Sequence, residues 1–577
     1  MSLSQFVEYT EPQWRELNMR ALHVDQAYMY VSSNYLAPSY LYTLSDECYS
    51  CPYTRVKALP AVEDQSLSST NEPLTLSTAF ALNFKIYADD QGHYAYDNVS
   101  SLCTLRTKLQ EFGVYNLTLQ LNGSCNFDVD KEGVPIYYSF LGVWLLVAAL
   151  LIVLRLGWCA WRCARYDEAA AVADSIGEAA SKATQRKRMR SLDTFRGLAI
   201  VLMIFVNSGG GGYWWIEHAT WNGLHVADLV FPSFLWIMGV CVPLSVHSQL
   251  GRGVSKARLC LRITWRACKL FAIGLCLNSI NGPQLEQLRI MGVLQRFGVA
   301  FLISGILHTL CSRRQHIVPQ RAWHRAIYDV CLFSGELAVL LALIATYLGL
   351  TFGLPVPGCP LGYLGPGGKH DLAAYPNCIG GAAGYIDRQV LGNAHIYQHP
   401  TAKHVYDSSA FDPEGVFGCI LSVVQVLFGV FAGVTLLIHP TWQARIKRWL
   451  ICAALLGIIG GALCGFSKEH GIIPVNKNLW SISFVFITVA VAYTLLSFLY
   501  YVIDVRQWWS GHPFTESGMN AIIMYVGHTI MHKMLPWHWR IGAMNTHFVL
   551  LLESVWNTLI WIAIALYLDS QEFYYSL

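Results

Sequence analysis

The sequence predicts an α-helical polytopic membrane protein of about eleven transmembrane helices, with an N-terminal, mostly-β domain. Three observations lead there. Of 577 residues, 54% are hydrophobic and only 13% charged, against roughly 25% charged in soluble proteins. A chain this long and charge-poor cannot cover itself with polar side chains. Beyond residue 136, eleven apolar stretches of spanning length follow one another. Before it there is none, and short segments alternate apolar and polar residues. Forty Lys and Arg against 37 Asp and Glu give a net charge of +3, too little for a nucleic-acid binder. The composition equally excludes disorder, collagen and a disulfide-dense mini-domain.

Residues 1–135 read as a β-rich domain. Leu74–Thr78 and Tyr115–Leu121 alternate as half-buried strands do. Cys48, Cys51, Cys103 and Cys125 are expected to form disulfides, because no second ligand pair with zinc spacing follows Cys48-Tyr-Ser-Cys51. Three glycosylation sequons at Asn98, Asn116 and Asn122, beside an even cysteine count, point to an oxidising lumen. Met1 opens a polar stretch with Glu8, Glu11, Arg15 and Glu16 and no apolar signal region. Either a signal is missing from the chain or the first span draws the N-terminus across the membrane.

The expected spans lie near 136–157, 193–209, 226–246, 264–280, 291–311, 327–351, 416–438, 449–466, 479–503, 515–531 and 547–568. Alternate loops differ in charge. One set holds Arg162, Arg165, Lys182, Arg186–Arg188 and Arg190, then Arg252, Lys256, Arg258 and Arg262, then Arg313, Arg314, Arg321 and Arg325, then Arg445, Lys447 and Arg448. The other has scattered cations such as Lys369, Arg388, Lys403, Lys468, Lys477, Lys533 and Arg540. The first set is expected to be cytosolic. An odd number of spans then puts the N-terminus in the lumen and the C-terminus in the cytosol, in agreement with the sequons. The division is 1–135 lumenal domain, 136–158 first transmembrane helix, 159–190 basic cytosolic linker and 191–577 ten-helix domain. The lumenal loop 352–415 is rich in Gly and Pro, and its Cys359 and Cys378 pair with each other or with the N-domain.

Ionisable groups within spans are costly and mark sites. Asp193 and Arg196 share a helix face at the cytosolic end of span 2 and form an ion pair or a site. Asn207 stands at its lumenal end, followed by four glycines that admit a ligand or another backbone. His218 lies among Trp214, Trp215 and Trp221, as either an interfacial or a catalytic residue. Asp228 can orient it or accept a proton. Arg296 in span 5 needs an anion, either Asp228 or a ligand phosphate. Asn520 and His528 lie two turns apart on one face of span 10, as helix glue or as part of a site. Asp412-Pro-Glu414-Gly, just before span 7, starts the helix or binds a substrate amine. The histidines are too scattered for a metal site.

These residues fall in blocks that resemble the heparan-α-glucosaminide N-acetyltransferase family of lysosomal membrane enzymes. The blocks are Ser191-Leu-Asp-Thr-Phe-Arg-Gly197, Phe205-Val-Asn-Ser-Gly-Gly-Gly211, His218-Ala-Thr-Trp-Asn-Gly223, Val226-Ala-Asp-Leu-Val-Phe-Pro232 and Gly292-Val-Leu-Gln-Arg296. Further on they are Cys359–Gly368, Tyr375–Cys378, Gly380–Arg388, Asp412–Gly415, Ile473-Pro-Val-Asn-Lys-Asn-Leu-Trp480 and Gly518-Met-Asn520. The resemblance implies transfer of acetyl from cytosolic acetyl-CoA to the terminal, unacetylated glucosamine of heparan sulfate in the lysosomal lumen. His218 matches the family's active-site histidine, and Asn207 the asparagine beside that site. Ser208 stands where the mammalian enzyme is expected to have an aromatic residue.

On that reading, acetyl-CoA is expected to meet Asp193, Arg196, Arg262, Arg266, Lys269, Arg296, Asn520 and His528, its phosphates at the cytosolic cations and its thioester near Asn207 and His218. The acceptor sugar is expected at Glu414 and Trp221. His218 serves as general base with both substrates bound, or carries the acetyl group covalently; the first is favoured. Asn207 is the candidate donor to the thioester carbonyl, and Asp228 supports His218. A homodimer in the membrane lipid follows from the resemblance, with acetyl-CoA as co-substrate and no metal. Three alternatives have distinct expectations. A transporter moves a small polar solute without acetyl transfer, but no internal repeat supports it. A glycan-binding receptor tolerates loss of Asn207 and His218. A related acyltransferase acts on another sugar.

Overall fold

The computed structural model describes residues 13–61, 72–164, 189–280, 282, 284–312 and 328–575. The N-terminal residues 1–12 and the basic positions 165–188 and 313–325 used in the topology argument lie outside the described residues.

The N-domain is a β-sandwich. After a short hairpin of β1 (Gln13–Trp14) and β2 (Leu17–Asn18) come β3 (Gln26–Ser33), β4 (Ser39–Ser45), β5 (Tyr53–Leu59), β6 (Leu74–Ser77), β7 (Leu82–Tyr87), β8 (Tyr94–Ala95), β9 (Cys103–Thr107), β10 (Val114–Leu119) and β11 (Cys125–Lys131). One sheet runs β11-β10-β3-β6 and the other β8-β5-β4-β7-β9. β10 pairs in parallel with β3, setting Leu117 opposite Val31. Alternating residues of both sheets, among them Met29, Val31, Leu41, Phe84, Ile86 and Leu117, close one core. The two predicted alternating segments are β6 and β10. The Cys103–Cys125 disulfide ties β9 to β11, the adjoining edges of the two sheets, and Cys48–Cys51 closes the turn after β4. Asn98 and Asn122 are exposed near turns, whereas Asn116 is half-buried in β10.

The remainder is helical. α1 (Tyr137–Ala164) is followed by α2 (Arg190–Asn207), α3 (Val230–Gly251), α4 (Lys256–Asn278), α5 (Val293–Cys311), α6 (Ser334–Gly353), α7 (Gly381–Leu391), α8 (Cys419–Ile438), α9 (Trp442–Leu463), α10 (Ile482–Leu499), α11 (Phe514–Met519), α12 (Ala521–Ile530) and α13 (His547–Ser570). Eight helices among the described residues are long and apolar enough to cross a membrane, which makes this a multi-pass membrane protein. The other three expected spans are α2, α4 and the α11–α12 pair. α2 carries charged residues in its first two turns and α4 over its first fourteen residues, and α11–α12 is broken at Asn520 (φ −112, ψ 26). α4 begins eight residues before the span expected at 264, because Ser255 caps it by accepting the Arg258 N–H and because Lys and Arg are good helix formers. α1 runs six residues past 158 into the stretch expected as linker; nothing in Cys159-Ala-Trp-Arg-Cys-Ala164 breaks a helix.

The bundle is tightest where α3 crosses α8. A Cβ on Gly239 would overlap the Val426 carbonyl, and one on Gly429 the Trp236 carbonyl. Cys359 and Cys378 pair with each other inside the 352–415 loop. The N-domain sits on the end of the bundle that carries this loop: Lys468 pairs with Glu47 at 2.8 Å, and the Tyr406 hydroxyl donates to the Glu47 carbonyl.

Candidate active site

The segment linking α2 to α3 turns on Gly209–Gly212, whose φ values of 98°, 54°, 77° and 73° are open to glycine at no steric cost. His547 at the start of α13 pins this turn through the Gly211 carbonyl, at 2.8 Å. The chain then folds back so that His218 meets the beginning of α3.

There His218 Nδ1 lies 2.7 Å from Asp228 Oδ1. Asp228 is 1% exposed. Its other oxygen accepts the backbone N–H of Ala219 at 3.1 Å and of His225 at 3.0 Å. Lys477, from the loop before α10, approaches the other side: its Nζ is 3.1 Å from both ring nitrogens of His218. The carboxylate can only accept and the ammonium only donate. Nδ1 therefore carries the ring proton, and Nε2 keeps the lone pair. Burial holds the His218 imidazole below its usual protonation range, and the Lys477 charge adds to this; Asp228 and Glu414 offset it in part. The His218 side chain is still 36% exposed, so Nε2 is reachable.

A carboxylate cluster lies beside this triad. Arg289 donates through Nε and Nη2 to both oxygens of Asp412 and through Nη2 to Glu414 Oε2, at 2.9, 2.5 and 2.6 Å. Burial alone would raise the Glu414 carboxyl, but Arg289, then Lys477 and Arg296, bring it down to about 2. Arg296 does not meet Asp228, one of the two partners expected for it. Its Nη2 donates to the Gly415 carbonyl at 3.0 Å and its guanidinium lies 5.0 Å over the Trp480 ring.

A cavity of about 390 Å³ lies between α2, α3, α4, α5 and α11–α12. Its outer end is cationic, lined by Arg196, Arg262 and Arg266, and its walls are apolar. Its inner end reaches Phe231, Val293 and Tyr525. Phe231 is one turn past Asp228 and packs 5.2 Å from Trp480, three residues after Lys477, so the cavity ends beneath the triad. Arg262 bonds Gln249 at 2.8 Å, and Arg196 links Asp193 at 3.2 Å to the Cys241 sulfur at 3.2 Å.

The other anticipated residues are placed as follows. Asn207 Nδ2 is 3.0 Å from His528 Nε2, while His528 Nδ1 faces the Met524 carbonyl. Asn520 bonds the C-terminal segment, through the Phe573 carbonyl and the Tyr575 N–H. Lys269 lies over the Trp265 ring, outside the cavity lining. Trp221 is 1% exposed, its indole N–H spent on the Leu364 carbonyl. Sequence reasoning missed Lys477 and Arg289. Lys477 stood inside a recognised block, Ile473–Trp480, but was counted only as a loop charge. Arg289 precedes such a block by three residues.

The described arrangement is a carboxylate-oriented imidazole with a lone pair directed outward, above a cavity with a cationic mouth. It suits proton abstraction next to an anionic, elongated ligand. Comparison with known proteins agrees. Residues 188–318 match the family model described as heparan-alpha-glucosaminide N-acetyltransferase, catalytic. The chain is 36% identical to the heparan-alpha-glucosaminide N-acetyltransferase of Mus musculus over 98% of its own length and 91% of the relative's. It is also 36% identical to that of Homo sapiens, over 96% and 88%. The chain therefore belongs to the heparan-α-glucosaminide N-acetyltransferase family.

Proposed function

We propose that this protein transfers the acetyl group of cytosolic acetyl-CoA across the lysosomal membrane to the terminal α-glucosamine amine of heparan sulfate. The observation that carries this reading is the His218–Asp228 pair, one helical turn before Phe231, which lines a cavity that also holds Arg262 and Arg266. Acetyl-CoA is a long polyanion that cannot cross lipid. On this reading its phosphates rest at the arginines and the pantetheine arm lies along the apolar walls, bringing the thioester up to His218. His218 Nε2 takes a proton from the acceptor amine. The neutral amine nitrogen attacks the thioester carbonyl as that proton leaves, the C–S bond breaks, and the CoA thiolate recovers the proton from His218; an acceptor that arrives as the ammonium first releases its extra proton to the lumen. Asp228 holds the ring and stabilises its cationic form. Asn207 keeps a second amide hydrogen beyond the one facing His528, free for the developing oxyanion.

The same reading places the N-terminus in the lumen and the C-terminus in the cytosol, with Asn98, Asn116 and Asn122 glycosylated and the protein a homodimer. The N-domain, its sequons and His218 all lie at one end of the bundle, which supports this orientation. The test uses sealed vesicles with the cytosolic face outward, labelled acetyl-CoA outside and a glucosamine-terminated heparan fragment inside. N-acetylated product inside is expected from wild type and not from His218→Ala at matched expression. No product from folded wild type would remove acetyl transfer and favour a transporter. Equal product from both would remove His218 from the chemistry.

A further inference from the structure

We propose that Lys477 is a positioning residue for this transfer: it sets a cationic amine 3.1 Å from both ring nitrogens of His218 and so keeps Nε2 available to the acceptor's proton. The inference rests on the acetyl-transfer reading above and adds a residue to it.

Geometry is the starting point. Three side chains from two separate segments converge: His218 and Asp228 from the segment between α2 and α3, and Lys477 from the segment before α10. With Asp228 Oδ1 at 2.7 Å on Nδ1 and Lys477 Nζ at 3.1 Å, the ring is clamped in one tautomer. A second ring proton would set an N–H against an N–H, beside an ammonium. Charge gives the same direction. The ionisable groups acting on His218 are Asp228, Glu414 and Lys477, and both carboxylates draw a proton onto the ring. Lys477 is the cation that opposes them. Burial pushes the Lys477 amine below its usual range; Asp228 and Glu414 draw it back up, and Arg296 and Arg289 oppose them. The arginines are engaged elsewhere, Arg289 by Asp412 and Glu414 and Arg296 by Gly415 and Trp480.

This matters because the acceptor amine arrives protonated in an acidic lumen. A histidine with its ordinary value near 6.5 would already be protonated there and could take nothing. A base for that setting needs its charged form disfavoured; burial does most of this for His218, and the like charge of Lys477 adds to it.

The experiment compares full-length wild type, Lys477→Gln and Lys477→Arg in membranes. One readout is kcat and KM for a glucosamine-terminated heparan fragment across acid to neutral pH. The other is the pH midpoint of His218 modification by diethyl pyrocarbonate, read by peptide mass spectrometry without acetyl-CoA, which needs no turnover. In K477Q the acid limb of kcat/KM and the modification midpoint are both expected to move up by about one pH unit. Its kcat in acid is expected to fall about 100-fold with KM little changed. K477R, which keeps the charge, should keep the wild-type midpoint. A K477Q midpoint equal to that of wild type overturns the proposal even if activity is lost, since a merely structural lysine would not move it. Lys477→Met stands in if K477Q does not fold, and failure of both to fold assigns Lys477 to structure and overturns the proposal. A folded wild type that acetylates no acceptor overturns the transfer reading; an unmoved midpoint in an active series overturns only the role of Lys477.

Discussion

Asp228 serves His218 twice: Oδ1 meets Nδ1 at 2.7 Å, and Oδ2 gathers the backbone N–H groups of Ala219 and His225, so the carboxylate also fixes the loop that carries the imidazole. Asp228→Asn separates the two duties. The amide oxygen can still accept from the backbone, or the ring can keep its partner, but the fixed tautomer and the support for imidazolium are lost. Acetyl transfer is expected to drop about 10³-fold in kcat, with KM for acetyl-CoA nearly unchanged. Steady-state kinetics on the purified variant check this.

Arg262 and Arg266 sit at the cavity mouth, far from His218, and both are exposed. Their expected work is phosphate binding alone. Arg262→Ala and Arg266→Ala should each raise KM for acetyl-CoA about tenfold, the equivalent of one charge-assisted contact. The acceptor KM should not move. Rising salt should erase most of the difference from wild type, because exposed charges are screened.

Burial is the largest influence on both Asp387 and Glu414, with opposite outcomes. For Asp387, held by the Phe417 N–H at 2.9 Å, burial wins and lifts the carboxyl to about 6. The folded state then binds this proton more tightly than the unfolded chain does, so stability rises as pH falls from neutral through 6 and levels off below the unfolded value. For Glu414 the neighbouring cations win, and its value of about 2 keeps its contribution intact in mild acid, to be lost only as pH falls from the unfolded carboxylate value toward 2. Thermal melts should therefore show a protein steadier at about pH 5 than at pH 7. Asp387→Asn should flatten that slope by up to about 3 kcal/mol. Arg289→Leu leaves Asp412 and Glu414 buried without their cation and should cost about 3–5 kcal/mol.

The outline of the fold was legible because its signals are local. Apolar runs of bilayer length, strand alternation in Leu74–Thr78 and Tyr115–Leu121, and Cys359 near Cys378 each need only a short window of sequence. Charged helices blurred that picture: the cations of α4 hid its first turns, and Asn520 splits what reads as one span into α11 and α12. In the site, His218 and Asp228 lie ten residues apart, and a single loop brings them together. Lys477 and Arg289 are brought in from hundreds of residues and dozens of residues away by helix packing, which no spacing rule encodes. Arg296 shows the same limit. Its need for a partner was evident, but the contacts it makes are a backbone carbonyl and an indole face, and neither is readable as an anion.

Asn520 and His528 share a helical spacing, yet they do different work. His528 Nε2 holds Asn207 at 3.0 Å, whereas Asn520 ties down Phe573 and Tyr575, and Tyr575 lines the cavity. His528→Ala releases the Asn207 amide, which is exposed at the end of α2 and is oriented there by His528 Nε2. If Asn207 stabilises the oxyanion, Asn207→Ala should lower kcat about 100-fold and His528→Ala about tenfold. The double variant should then cost no more than Asn207→Ala alone, because the histidine acts only through the asparagine. Asn520→Ala should behave otherwise. Loosening Tyr575 alters the cavity wall, so KM for acetyl-CoA rises while kcat holds. Additive losses in the His528 and Asn207 cycle would show that the two residues act separately and would leave the oxyanion without Asn207's support.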